Sequence, residues 1–314
     1  MTTELYFEDW DPGYGSPYLI GDDQPDGAAV LAESADEMRI APAPCDPRPT
    51  AFVDGVRRGE GLLYRQGDDG ALVRGTVGAF GCGAVLCEAG RTPVYGPIET
   101  QRLVIFGGGL PVALPAVDGY EWEAVAIASS EPEAPLQELQ TRMRIAEGNL
   151  SERLARSGWL AIADGPLYFI RSRDLPVVGL VKTHHRALLP PEQHAQVAGL
   201  LCGERTPMFV LGDDRYSCYV RIAVPGPRSS PWYGIVRVEV PQSFGIDIAR
   251  DTVNEVACVL PRYAGIPHRD PRAPQNLQPI GALEKQLRHR LGPSRLAGRA
   301  ARIAVDLHST QVAA

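Results

Sequence analysis

The chain has 314 residues, of which 44% are apolar and 22% charged, so it can bury a sizeable core as one large domain or one domain with extensions. No apolar run approaches 18 residues, which excludes a membrane-spanning helix from the expected architecture. Six cysteines without a C-x-x-C pair exclude a zinc knuckle or a dithiol redox motif, and a net charge of −7 argues against a protein that coats nucleic acid by charge alone.

The charge is uneven. Residues 1–49 carry 11 acids and two bases, which leaves +2 for the other 265 residues. The start, MTTELYFEDWDPGYGSPY, is acidic and has no apolar core of a secretory signal, so a cytoplasmic, membrane-free protein with free, mostly buried thiols is expected. Within the Pro/Gly-rich extension 1–50, only Gly27–Arg39 has the pattern of a short helix. APAPCDPRPT (41–50) reads as a linker, because closely spaced prolines break helix and ladder alike.

AFVDGV (51–56) predicts a short strand ending in a carboxylate and a glycine. GLLYRQ (61–66), a glycine-rich run from Leu72 to Glu88, RLVIF (102–106) and EWEAVAIAS (121–129) continue the β pattern. From Pro135 to Ser157, Leu136, Leu139, Met143, Leu150 and Leu154 recur at the period of one helix face. WLAIADGPLYFI (159–170) reads as a buried strand holding one acid, and PVVGLVKT (176–183) as another. Pro190–Leu201 predicts a helix, followed by strands at 207–212, 216–224 and 232–240 and helices over Ile248–Leu260 and Pro279–Leu291. From Gly292 the chain is Ala/Arg-rich and compatible with further helix. Across residues 285–302, Lys285, Arg288, Arg290, Arg295, Arg299 and Arg302 follow one another without an acid. This order predicts a mixed sheet covered by helices, an α/β fold.

GGG at 107–109 lacks a following G-K-[ST] and reads as a turn. No H-E-x-x-H and no G-x-S-x-G occurs. Three acids instead stand where apolar residues are expected. Asp54 closes AFVD, Asp164 interrupts AIADGPLYFI, and Glu147 lies on the apolar stripe of its helix, between Met143 and Leu150. A buried carboxylate is costly unless it is paired, hydrogen-bonded or bound to metal, and three on neighbouring elements repel one another. A divalent cation removes both penalties, and carboxylates that hold such ions suit phosphodiester hydrolysis. Taken singly, each D-G pair reads first as a turn and Glu147 as a boundary residue with its stem buried; their co-occurrence in the order strand, helix, strand is what favours the functional reading.

These residues resemble the NurA family of DNA-repair nucleases. AFVDGVRR is similar to the family's first motif. RMRIAEGNLSERLARSG running into WLAIADGPL is similar to its second block, with a helical Glu ahead of an apolar-Asp-Gly strand. VVGLVKTH, with Lys182, resembles the following strand, and RAPQNLQPIGALEKQLRHRLG the C-terminal block. The resemblance covers residues 51–291 and makes 1–50 an acidic extension and 292–314 a basic tail. It implies an RNase H-like mixed sheet flanked by helices with extra strands, and an Mn²⁺- or Mg²⁺-dependent exonuclease with single-strand endonuclease activity. It further implies a homodimer that acts on DNA ends with a HerA-like hexameric ATPase. Asp54, Glu147 and Asp164 then become metal ligands, and Lys182 a contact to the scissile phosphate.

The chain departs from the family at its last helix, where a His is usual and Glu284 stands; His268 and His289 are the alternatives for a fourth ligand. His184 and His185 read as a solvated strand end. The competing readings are a catalytically inert adaptor for a DNA-translocating ATPase and another RNase H-like enzyme.

Overall fold

The structure is a computed structural model that describes residues 29–34, 37–41, 44–66, 72–172, 174–184 and 186–313. The strands are β1 (Thr50–Gln66), β2 (Leu72–Cys87), β3 (Val94–Phe106), β4 (Glu123–Ala126), β5 (Leu160–Asp164), β6 (Val177–Val181), β7 (Phe209–Leu211), β8 (Arg215–Arg221) and β9 (Ile235–Pro241). The helices are α1 (Ala134–Arg156), α2 (Pro191–Val197), α3 (Gly245–Val259), α4 (Gln278–Arg290) and α5 (Ser294–Ala313). The strands form one nine-stranded sheet in the order β4-β3-β2-β1-β5-β6-β9-β8-β7. β1, β5 and β6 run parallel, as do β3 and β4, whereas β6, β9, β8 and β7 alternate in direction. The fold is therefore the helix-flanked mixed sheet expected from the sequence.

The chain divides into two units, the first of Met1–Val53, Val85–Val94 and Leu150–Ala282, the second of Asp54–Ala84, Tyr95–Asn149 and Leu283–Ala314. In the first, LAIAD and VVGLV become short parallel strands buried on both faces, as continuous apolar runs require. α3 packs against β8 and β9, and a core forms from Met38, Leu189, Val197, Phe209, Tyr219, Trp232 and Ile235. No helix forms among the described residues of Gly27–Arg39: Leu31 bridges to Phe209 and Ile40 to Arg205. The reason is a buried charge. Glu33 accepts both Nη groups of the buried Arg205, at 2.7 and 2.9 Å, the Met208 N–H and Arg250 Nε, which draws the segment out along β7. Residues 1–28 lie outside the described residues. The stretch read as a linker is tied down by the Arg48–Glu255 ion pair and by a Cys45–Cys258 disulfide. That bond corrects the expectation of six free thiols; among the described residues Cys82, Cys87 and Cys218 are buried thiols outside any disulfide, and Cys202 is an exposed one.

In the second unit the glycines of GAFGCGAV bring helices close to both faces of β2. A Cβ on Gly78 would lie 2.5 Å from Leu139 of α1, whereas Gly81 and Gly83 lie against Leu287 and Leu283 of α4. Phe80, on the α1 face, joins Leu139 and Met143. Val77, on the other face, packs with Ala300, Ala301 and Ala304 of α5, so the Ala/Arg-rich segment after Gly292 is a packed helix whose alanines let it approach the sheet.

Candidate metal centre

β1 and β5 pair in parallel from Thr50↔Leu160 to Val53↔Ala163. Asp54 and Asp164 are the next residues along these two strands, so the two D-G pairs of the sequence stand side by side. Each glycine has its own reason. Gly55 leaves room for α1: a Cβ there would lie 2.6 Å from Glu147 Oε1 and 2.9 Å from Met143 Cγ. Gly165 has φ +123°, which a residue with a side chain adopts only under strain, and its N–H bonds the Leu180 carbonyl as the chain turns over Gly179.

Glu284 lies on the buried stripe of α4 with Ile280, Leu283, Leu287 and Leu291. One carboxylate oxygen from each of Asp54, Asp164 and Glu284 lies within 4.8 Å of the others; Asp54 and Glu284 are buried and Asp164 is half-buried. Glu284 also receives Arg288 Nη2 at 3.4 Å from the next turn. Glu147 is buried on α1, not within this trio: its Oε1 lies over Gly55 and its Oε2 accepts Arg144 Nη1 at 2.9 Å. The donor set of the trio is all carboxylate oxygen, which suits a hard divalent cation such as Mn²⁺ or Mg²⁺.

Lys182, just beyond β6, donates from Nζ to Asp164 Oδ2 at 2.6 Å and to Asn276 Oδ1 at 2.7 Å. Asn276 is fully buried and donates from Nδ2 to Asp270 Oδ2 at 2.7 Å. Asn276 and Asp270 were missed in the sequence. They lie in the quoted block RAPQNLQP and the loop before it, which offered only a proline-rich approach to a helix.

His268 and His289, the alternatives to Glu284, are both exposed. His184, read as a solvated strand end, is buried: its Nε2 meets the Ile235 carbonyl at 3.1 Å, and its ring packs on Tyr219 and Trp232. The β-bridge at His184 sets its ring among these aromatic side chains. His185 lies outside the described residues. The six bases from Lys285 to Arg302 are all exposed, as helix positions opposite an apolar stripe should be.

No helix among the described residues is long and apolar enough to cross a membrane. No protein-family profile matches the chain, and no curated protein matches it. Among solved structures, the chain is similar to the NurA nuclease from Sulfolobus solfataricus, with 11% identity and a TM-score of 0.46 over 90% of this chain and 86% of that one.

Proposed function

We propose that the protein is a divalent-metal-dependent deoxyribonuclease of the NurA type, with an RNase H-like core, that processes DNA ends. The observation that carries the reading is the placement of Asp54 and Asp164 immediately beyond the paired residues Val53 and Ala163 of neighbouring parallel strands. Two like charges at adjacent strand ends, one of them buried, repel one another, a penalty that a divalent cation held between them removes. Asp54, Asp164 and Glu284 would hold the ion, and Glu147 would complete the carboxylate set from α1. A divalent cation bound there supplies a Lewis acid for a phosphoryl oxygen and makes hydroxide available at neutral pH.

The remaining roles fall to the chain's own side chains. Lys182, held beside Asp164, presents positive charge to a non-bridging phosphate oxygen, where charge accumulates as the phosphodiester is attacked. The exposed bases of α4 and α5 contact the DNA backbone, which fixes its register without reading its sequence. From the motif resemblance follow the homodimer and the hexameric HerA-like ATPase as partner.

The test is direct. Purified protein is incubated with end-labelled single- and double-stranded DNA in Mn²⁺, in Mg²⁺ and in EDTA. Metal-dependent shortening is expected. Intact DNA of both kinds in both metals, at protein equimolar with ends, would contradict the proposal.

A further inference from the structure

The chain has 31 basic residues, of which 29 are Arg and two, Lys182 and Lys285, are Lys. Lys285 is exposed on α4, whereas the Lys182 side chain is 11% exposed and set between two acceptors. A guanidinium is planar and presents its donors as a fork; an ammonium is a compact point with three tetrahedral donors. Lys182 gives one donor to Asp164 Oδ2 and one to Asn276 Oδ1. Among the described residues no third acceptor meets Nζ, which leaves one N–H for a ligand.

The direction of the Asn276 amide is fixed by its other neighbour. Nδ2 donates to Asp270 Oδ2, so Oδ1 must face Lys182, and the remaining Asp270 oxygen is held by the Arg272 N–H at 2.8 Å. The backbone is fixed as well: the Asn276 N–H bonds the Arg272 carbonyl at 2.9 Å. Gly281 makes room for Asp270, since a Cβ there would lie 2.8 Å from Asp270 Oδ2. The acceptor is thus in place before any ligand arrives, which is how a site avoids reorganising during a reaction.

We propose that Asn276, oriented by Asp270, is a positioning residue that fixes the Lys182 ammonium on Asp164, so that its third N–H is presented to a phosphate oxygen of the nucleic acid. This rests on the nuclease reading. The loop before α4 then serves the cleavage chemistry through Lys182 without touching the substrate itself.

The test uses the full chain with Asn276→Leu, Asp270→Asn and the exchange Asp270→Asn/Asn276→Asp. In the exchange, a carboxylate at 276 accepts from Lys182 and from the new amide at 270, whose oxygen still takes the Arg272 N–H. The first readout needs neither metal nor DNA. Acetylation by an amine-reactive ester is followed by mass spectrometry, with exposed Lys285 as the internal reference. Lys182 should be protected in the parent protein, react roughly tenfold faster in Asn276→Leu, and regain protection in the exchange. The second readout is cleavage in Mn²⁺: kcat should fall roughly 10- to 100-fold in Asn276→Leu with KM little changed, and recover in the exchange.

If Asn276→Leu fails to fold, as judged by circular dichroism, Asp270→Asn against the exchange makes the same comparison. Lys182 protection that is unchanged in the single variants, or an exchange no better than they are, would overturn the proposal. A parent protein that cleaves no DNA would sink the nuclease reading, while the labelling still decides whether Asn276 and Asp270 hold Lys182, so the two failures are told apart.

Discussion

Asp54 and Asp164 sit at matching positions on adjacent strands, yet their removal should read differently. Asp54→Asn takes one negative charge from a trio of carboxylates whose nearest oxygens lie within 4.8 Å, so repulsion falls and the melting temperature should hold or rise. Asp164→Asn also strips Lys182 of its ion-pair partner, so its melting temperature should fall. Cleavage should be lost in both; a calorimetric scan with an end-labelled DNA assay checks the pair, and full activity in both would refute the site. Away from the centre, Glu33 gives a pH prediction. Burial pushes its carboxyl up from the ordinary 4.5, but hydrogen bonds from Arg205, the Met208 N–H and Arg250 outweigh this and hold it lower. A depressed carboxyl contributes stability that is fully present above its unfolded value and is lost as pH falls through the folded one. Glu33→Gln should therefore be less stable than the parent at pH 7, with the gap closing below pH 4.5; a constant gap in urea denaturation across that range would contradict the account. Single residues were legible in the sequence when they violated a pattern, as an acid does within AIADGPL or on the stripe of α4. Asn276 and Asp270 were not, because a loop has no periodicity to violate. Nor was the pairing of Cys45 with Cys258, 213 residues apart, since spacing says nothing of which thiols meet.

At the scale of elements, the glycines set how closely helices and turns approach the carboxylate-bearing strands. Gly55→Ala drives a methyl group into Glu147 and Met143 and should cost about 1–3 kcal/mol through overpacking while displacing α1. Gly165→Ala forces a side chain into φ +123° and should cost about 1–3 kcal/mol as backbone strain. Urea titrations measure both, and a change below about 0.5 kcal/mol in either, the range of ordinary surface substitutions, would show that the approach is looser than described. The core elements were readable because apolar runs and the 3.6-residue stripe of α1 are strong signals. The edges were not. β1 is one strand of 17 residues where two short ones were expected, because Arg57–Gly61 is polar and glycine-rich yet stays hydrogen-bonded in the sheet. β3 begins at Val94, eight residues before its apolar part, for the same reason. The run to Ile170 breaks at Gly165 and becomes a short 3-10 turn over Leu167–Phe169, a turn of the backbone that an apolar composition conceals.

For the molecule as a whole, a net charge of −7 does not preclude DNA binding, because affinity follows the phosphates actually neutralised. Reversing Arg288, Arg290 and Arg295 to Glu should weaken binding of labelled DNA in Ca²⁺ and flatten its salt dependence. Each lost phosphate contact removes roughly 0.9 from the log–log slope on duplex DNA, and an unchanged slope in an anisotropy titration would place the DNA path elsewhere. The mixed sheet and its covering helices were legible from the order of apolar runs alone, because each run had to be buried and only a layered α/β arrangement buries them all. The central claim is that three carboxylates brought together by β1, β5 and α4 exist to hold a divalent cation. The most direct test is isothermal titration of the metal-free protein with Mn²⁺, beside Asp54→Asn and Glu284→Gln. Saturable binding in the parent, weakened at least tenfold in each variant while the fold is retained, is the predicted result; equal Mn²⁺ affinity in all three proteins would contradict it.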